Sequence, residues 1–375
     1  MVLCIEMLKK DEKGALVLIM TLYALTRTTL TAFALVSRAA LFPVHGHQYL
    51  WEYTKSEWIN VWGMWDSAWY VDIIRNGYTG VPKESAGFVD YAFSPLYPFL
   101  SKTLVFAVGE FGAALVISNI SFIASSYLVY LISRDYAGEA YAKRVLVALM
   151  VFPTSFLFSA ALSESLFFLI SLAIVFAVQK GKVWATAMLG FLAPLARPFG
   201  VVALLPILSE AIKKRRVRDA VPLVFPVLGL FAWIGWVYQL TGRWTATWEA
   251  QAAWGRHLSN PVTLVRNVFF AHDTFTFVAG VLFFFMFAIV LTSRGRAPRS
   301  VWILSVAIVS TPLFFSPHPD LVPALPRIAA SAPAIYMGIG GLLKKDYLVY
   351  LASPFGFALQ IALFSLWTNG YLLIV

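Results

Sequence analysis

Long apolar runs separated by short polar segments dominate this chain of 375 residues. A run of about 20 apolar residues spans the hydrocarbon core of a bilayer as an α-helix. The pattern therefore predicts an all-α polytopic membrane protein, with residues 1–375 forming a single transmembrane unit. Runs long enough to span fall at 14–36, 112–133, 143–161, 164–180, 219–240, 274–292, 300–316, 327–343 and 347–366.

Two further segments need a separate interpretation. The apolar run 183–212 is too long for one span, and Pro198 interrupts it. Because proline removes a backbone donor and clashes with the preceding turn, we predict two shorter helices with Arg197 near the turn between them. Segment 91–108 carries two prolines and follows a polar loop, so it is predicted to lie partly inserted or at the membrane interface. Together the runs give about eleven spans.

Composition and charge support this interpretation and give it an orientation. The chain is 60% hydrophobic and 13% charged, whereas soluble domains are about 45–50% apolar and about 25% charged. With the N-terminus in the cytoplasm, 18 of the 29 Lys and Arg residues fall in short cytoplasmic segments, as the positive-inside tendency expects. The net charge of +10 is therefore explained by orientation in the membrane rather than by binding to nucleic acid. Residues 241–273 form the second large outer loop in this topology.

The first outer loop, 37–93, is too long and too aromatic for a passive connector. Tryptophan favours the membrane–water interface, so the loop is predicted to form short amphipathic helices lying in that plane. Its tryptophans are Trp51, Trp58, Trp62, Trp65 and Trp69.

Asp66 is the candidate general base. At helical spacing it shares one face with Trp69, Tyr70 and Ile73. A carboxylate between large rings at a membrane edge is partly desolvated, which makes it a stronger base. The alternatives are a helix N-cap or an interfacial salt bridge with Arg75.

Further charged residues lie in the predicted outer segments. Glu164 sits between two apolar runs, where a charge is costly unless it is paired or faces a wet cavity; the alternative is a turn residue that caps the next helix. Arg197 and Arg327 lie at outer helix ends, and a planar guanidinium suits phosphate because it bonds two oxygens at once. His318 lies in the same outer loop as Arg327. For the arginines, the alternative is that they reach toward lipid headgroups.

The sequence lacks the patterns typical of a divalent-ion site, a disulfide and an ATP-binding loop. The outer loops contain no Asp-x-Asp or Glu-x-Asp pair, so no carboxylate site for a divalent ion is predicted. One cysteine cannot form a disulfide within the chain. The chain also lacks a phosphate-binding glycine-rich loop ending in Lys-Ser or Lys-Thr, which argues against ATP-driven work.

An ordered set of short motifs resembles the PIG-V family of glycosyltransferases. The likeness covers residues from about 65 to 340 and departs from the family pattern at Ser94, usually Phe there, and at Ile328, often Tyr or Phe. The motifs are Trp65-Asp66 with Tyr70, Gly77-Tyr78, the segment 92–98, Phe152-Pro153 followed by 163–167, Arg197 with Gly200, and Pro326-Arg327.

The resemblance implies the GT-C architecture, with an elaborated first outer loop and the active site at the outer membrane face. It also implies a polyprenyl-phosphate sugar as donor, typically dolichyl-phosphate mannose, and a glycolipid or lipid-linked glycan as acceptor. No metal or other cofactor is expected. The membrane would be the cytoplasmic membrane of a prokaryote, or the endoplasmic reticulum membrane of a eukaryote, with the active site on the outer or lumenal side.

The hypothesis that follows is an inverting transfer of mannose. Asp66 would accept the proton of the acceptor hydroxyl, and the donor phosphate would be bound by Arg197, Arg327 and His318. The remaining roles are contacts with the sugar or acceptor (Trp65, Trp69, Tyr70, Glu164) and a groove for the prenyl tail (Phe93, Pro95, Tyr97). Two alternatives stay open: a transporter or flippase for lipids or glycolipids, and a non-catalytic subunit of a glycan-assembly complex.

Overall fold

A computed structural model describes residues 10–41, 52–81, 88–271, 273–315 and 319–371. Within these ranges the regular structure is helical, with seventeen α-helices and no strand. In chain order they are α1 Lys10–Ala40, α2 Glu57–Asn60, α3 Asp66–Asn76, α4 Leu96–Lys102, α5 Val105–Ala137, α6 Glu139–Val151, α7 Glu164–Gln179, α8 Val183–Ala196, α9 Leu204–Lys214, α10 Val224–Thr241, α11 Ala246–Ala253, α12 Pro261–Phe269, α13 Thr274–Thr292, α14 Arg299–Phe314, α15 Leu325–Ala330, α16 Ala334–Leu342 and α17 Asp346–Thr368.

Five helical segments in the described part of the chain are long and apolar enough to cross a membrane. They are Lys13–Ala40, Val105–Ala137, Val217–Thr241, Thr274–Thr292 and Tyr347–Thr368. Three shorter apolar helices accompany them: Glu164–Gln179, Val183–Ala196 and Arg299–Phe314. The predicted run 274–292 coincides with α13.

Fewer long spans are found than the eleven expected, because several predicted runs form shorter helices and two, 143–161 and 327–343, are interrupted. In the run 143–161, α6 ends at Val151 and Phe152 is extended, as the residue before a proline prefers. A short 3₁₀ helix, Ser155–Phe158, follows. The run 327–343 is divided between α15 and α16, with Pro333 at the start of the second helix.

The predicted break in 183–212 is confirmed. Arg197 is extended (φ −151°, ψ 140°) between α8 and the 3₁₀ helix Pro198–Ala203, and α9 then continues the run. Gly200 allows this tight return, because a Cβ added there would lie 2.2 Å from the carbonyl oxygen of Ala193. The break thus fixes Arg197 beside the end of α8.

The segment 91–108 forms a short helix, α4, rather than a span of its own. The following span begins at Val105, earlier than the predicted 112, and contains a kink at Gly109 (φ 71°, ψ 174°). Gly109 allows the kink, because a residue without a Cβ adopts a positive φ without strain.

Packing around α5 brings the predicted first outer loop onto the bundle. α5 packs against α6 and α7, α7 against α8, and α8 against α10. α1 packs against α17, and both contact α6. The short helix α3 of the first outer loop lies against α4 and α5. This contact holds Asp66, the first residue of α3, against the membrane-spanning helices.

Candidate active site

Asp66 follows a strained residue at the start of α3. Trp65 has φ +55° and ψ −117°, a region that costs a residue with a side chain about 1–3 kcal/mol. The N-cap residue of α3 is Trp65, not Asp66, and Arg75 pairs with Glu110 at 3.2 Å instead of with Asp66. Neither structural alternative for Asp66, the N-cap or the bridge to Arg75, therefore describes its contacts.

The partner of Asp66 is Arg327. Nη1 of Arg327 lies 2.7 Å from Oδ2 of Asp66. The arginine side chain is 6% exposed and the aspartate side chain 15% exposed. The structure shows no hydrogen bond to the second oxygen, Oδ1, from a described residue, so that oxygen is available to a hydroxyl group.

Glu164 joins the two arginines that the sequence analysis selected. Its Oε1 accepts bonds from Nε of Arg327 and from Nη1 of Arg197. The carboxylate is fully buried at the first turn of α7, where a negative charge is favoured by the helix dipole. Burial of this charge is compensated by the two guanidinium groups, and no side-chain capping bond is formed.

A third arginine, which the sequence analysis did not select, lines the same pocket. Arg256 follows α11 in the predicted second outer loop, and its Nη1 donates to Oε1 of Gln251. Burial lowers the pKa of Arg256 to about 10, and the charge of Asp66 opposes this shift. The guanidinium therefore remains protonated at neutral pH. Its position in a predicted outer loop, against the positive-inside tendency, was the signal that could have identified it.

The charges in this pocket do not balance. Three guanidinium groups (Arg197, Arg256, Arg327) face two carboxylates (Asp66, Glu164) among the described residues. One positive charge is therefore left without a carboxylate partner. A net positive site of this kind favours an anionic ligand, to which the guanidinium groups can donate charge-assisted hydrogen bonds.

Two adjoining cavities share the same three chain segments. The polar cavity, of about 40 Å³, is lined by Asp66, Tyr70, Ala92, Phe93, Ser94, Ala196, Arg197, Pro198, Trp254, Arg256 and Arg327. The apolar cavity, of about 330 Å³, is lined by Ile73, Gly77, Tyr78, Pro95, Pro98, Phe99, Lys102, Leu195, Ala232, Trp233 and Trp236. α3, the segment 93–98 and the end of α8 contribute to both. A ligand with a charged head and an apolar tail would fit across the two, although the polar cavity must widen to admit a sugar, since one water occupies about 30 Å³ of liquid.

Aromatic rings form one wall of the polar cavity. Trp69 stacks on Phe93 at 5.6 Å and meets the edge of Trp254 at 5.9 Å. The hydroxyl of Tyr70 donates to Oγ of Ser163 at 2.7 Å, the residue before Glu164. Burial raises the pKa of Tyr70 to about 12, and the charge of Glu164 adds to the shift. Tyr70 is therefore a neutral side chain that fixes α3 to α7, not a competing base.

The other predicted site residues are placed as follows. Pro95 lines the apolar cavity, whereas Phe93 lines the polar one. Tyr97 is fully buried inside the bundle, with its hydroxyl 2.8 Å from the carbonyl oxygen of Ala114, so its side chain lies behind the groove rather than in it. His318 lies outside the described residues.

No group of three or more His, Cys, Asp or Glu side chains that could hold a metal ion is found among the residues that the structure describes. Two carboxylates do lie near one another, but each is engaged by arginine. Metal independence stays a prediction.

Comparison with known proteins confirms the family resemblance. A family model described as Mannosyltransferase (PIG-V) matches residues 15–215, more than half of the chain. The match ends before Arg256 and Arg327. A search of curated proteins finds no match.

Several solved structures are similar to this chain. ArnT from Cupriavidus metallidurans bound to undecaprenyl phosphate superposes with a TM-score of 0.52 at 14% identity, covering 78% of this chain and 57% of ArnT. The apo state of ArnT superposes with a TM-score of 0.48 at 16% identity, covering 74% of this chain and 54% of ArnT. The apo oligosaccharyltransferase of Archaeoglobus fulgidus superposes with a TM-score of 0.47 at 13% identity, covering 90% of this chain and 56% of that protein. This chain thus spans little more than half the length of these proteins. At such identity the likeness to ArnT shows the fold alone, which is the GT-C glycosyltransferase fold.

Proposed function

We propose that this chain, an integral membrane glycosyltransferase that belongs to the mannosyltransferase (PIG-V) family, transfers mannose from a polyprenyl-phosphate donor to a hydroxyl of a glycolipid or lipid-linked glycan. The match to a mannosyltransferase family model supports mannose as the transferred sugar. The enzyme assignment also argues against the transporter and the non-catalytic subunit. The observation that carries the proposal is the pocket of arginines with Asp66 that adjoins an apolar cavity.

The donor would lie across the two cavities. Its prenyl chain would occupy the apolar cavity beside Trp233 and Trp236, because burial of apolar surface is favourable. Its phosphate would enter the pocket lined by Arg197, Arg256 and Arg327, whose guanidinium groups supply charge-assisted hydrogen bonds. The ArnT structure holds undecaprenyl phosphate, which is a molecule of this class.

The reaction would be a single displacement. Asp66 accepts the proton of the acceptor hydroxyl as the acceptor oxygen bonds to the anomeric carbon. The bond between that carbon and the phosphate oxygen breaks, and its electron pair leaves with the polyprenyl phosphate. The arginines stabilise the growing charge on the leaving phosphate. Because Glu164 is fully buried and bonded to both arginines, Asp66 is the carboxylate that can reach the substrate, and one carboxylate suits inversion without a covalent sugar intermediate.

The aromatic residues of the site would position the acceptor. Phe93 and Trp254, which line the cavity and pack against Trp69, offer an aromatic wall for one face of a sugar. Trp65 would hold the turn that aims Asp66 into the pocket. In this scheme Glu164 orders the two arginines and does not contact the sugar.

A purified-protein assay tests the proposal. The protein in detergent is incubated with radiolabelled dolichyl-phosphate mannose and a panel of lipid and glycolipid acceptors, with heat-inactivated protein as control. We expect a labelled lipid product whose mannose has the configuration opposite to that of the donor. Transfer from a nucleotide sugar but not from dolichyl-phosphate mannose would overturn the donor class, and a product with retained configuration would overturn the single displacement.

A further inference from the structure

Arg256 is the guanidinium of the pocket that has no carboxylate partner among the described residues. Arg327 is paired with Asp66 and Glu164, and Arg197 is paired with Glu164. Arg256 forms no salt bridge with a described residue, and its side chain donates instead to the neutral side chain of Gln251. The uncompensated positive charge of the pocket is therefore located on Arg256.

Gln251 connects Arg256 to the first outer loop. Its Nε2 donates to the carbonyl oxygen of Ala92 at 2.9 Å, while its Oε1 accepts from Arg256. Two residues before the arginine, Trp254 packs edge-on against Phe93 at 5.8 Å. The segment that carries Arg256 is thus docked on the loop that carries Asp66, and the guanidinium is aimed into the polar cavity.

An unpaired guanidinium in a partly buried site is costly, and an anionic ligand relieves that cost. A sugar-phosphate-prenyl donor is a phosphodiester, which carries one negative charge. That charge equals the one positive charge left over in the pocket. By contrast, Arg197 and Arg327 are already engaged by the two carboxylates.

We infer that Arg256 is the principal ligand of the donor phosphate, that the Gln251 side chain positions it, and that Arg197 and Arg327 mainly hold Asp66 and Glu164 in place. This inference rests on the proposed function for the identity of the donor. It divides the arginines into one that binds the anion and two that order the carboxylates. The ligand class is a polyprenyl phosphate, either the sugar diester or the monophosphate that leaves.

Binding of two probes that share the prenyl chain and differ in the phosphate group tests the inference. The affinity for undecaprenyl monophosphate and for uncharged undecaprenol is measured with the full-length protein in detergent. In Arg256→Gln we expect monophosphate affinity to fall roughly 10- to 100-fold, the scale of a lost charge-assisted hydrogen bond, while undecaprenol binding is unchanged. Arg256→Lys should retain most of the affinity, and Gln251→Leu should lose a smaller part of it.

Arg243 provides the matched control in the same outer loop. It is 58% exposed and pairs with Glu249 at 2.7 Å, so Arg243→Gln removes the same charge without touching the pocket. Wild-type affinity for the monophosphate in Arg256→Gln would overturn the inference. An equal loss for both probes would also overturn it, because it would indicate a structural role.

Turnover separates this inference from the proposed function. If mannose transfer occurs, Arg256→Gln should raise KM for the donor and also lower kcat, because the same guanidinium would stabilise the growing charge on the leaving phosphate. If the wild-type protein binds the monophosphate through Arg256 but transfers mannose from no polyprenyl-phosphate donor, the phosphate site stands and the proposed reaction fails. If the wild-type protein does not bind the monophosphate, both are wrong.

Discussion

Arg327 lies 2.7 Å from Asp66, although the two residues come from distant parts of the chain. Asp66 begins α3 in the first outer loop, and Arg327 lies on α15 near the C-terminal end of the bundle. The same arginine bonds to Glu164 at the start of α7. One guanidinium group therefore fixes the relative positions of three helices around the candidate base.

Replacing Asp66 by asparagine tests its role as the base. Asn has nearly the same volume but cannot accept the proton, and Arg327 keeps its bond to Glu164. We expect Asp66→Asn to fold and to lose about 10²–10⁴-fold in kcat, the contribution typical of a general base. Asp72→Asn, on the same helix, is the control. Turnover like that of the wild type would remove Asp66 from the mechanism.

Removing the carboxylate of Glu164 should both disturb the positions of the two arginines and lower the free energy of unfolding. Glu164→Ala leaves two buried guanidinium groups without their shared carboxylate, which we expect to cost on the order of 3–5 kcal/mol in the free energy of unfolding. Unfolding in mixed micelles of increasing denaturing detergent measures this. Glu110→Gln, which breaks the more exposed salt bridge with Arg75, should lower the free energy of unfolding by no more than about 1 kcal/mol. Equal losses in the two variants would contradict the buried bridge.

Gly200 should be needed for the position of Arg197. In Gly200→Ala the new methyl group would lie 2.2 Å from the carbonyl oxygen of Ala193, so the chain after Arg197 must shift. We expect loss of thermal stability in detergent and at least a tenfold loss of turnover, since misplacement by about 1 Å costs on the order of 10²-fold. Gly235→Ala is the control, because nothing lies within 4 Å of the added carbon. If both variants behave alike, steric exclusion is not the reason for the glycine.

The apolar cavity should select for the prenyl chain. Ala232 lines it, so Ala232→Trp would fill much of its space of about 330 Å³. We expect KM to rise for a donor with a full-length prenyl chain and to change little for a donor with a ten-carbon chain, as measured by initial rates. Leu228→Trp, at an exposed position of the same helix, should affect neither. An equal change for both donors would place the prenyl chain elsewhere.

Local pattern was enough to predict most of the helices. The runs 274–292 and 300–316 correspond to α13 and α14, because a bilayer demands about 20 apolar residues in a row. The break at Arg197 also followed from local chemistry, since Pro198 cannot continue a helix. The kink at Gly109 and the division of 327–343 did not follow. Hydropathy alone does not show them: one lies at Gly109, which adopts a positive φ, and the other just before α16, which Pro333 starts.

The candidate site was predicted only in part. Asp66, Glu164, Arg197 and Arg327 were selected from motifs and from charges at unfavourable positions, and the structure brings all four together. Arg256 was missed, because nothing in its neighbourhood along the chain indicates that it lies beside α3. Residue type also did not predict whether the Tyr97 side chain points into the groove or into the bundle, since an aromatic ring suits a groove and a core equally well.

The sequence by itself determined that the chain is a helical membrane protein of a known family and which outer-side residues could carry its chemistry. Hydropathy, proline positions and motif order are local properties, and each is readable without knowing what lies nearby. Only the tertiary structure decided which charge pairs with which. Salt bridges depend on separations of a few ångströms between residues far apart in the chain, so the engaged carboxylate at Glu164, the pairing of Asp66 with Arg327 and the unpaired charge of Arg256 among the described residues emerge only when the helices are packed.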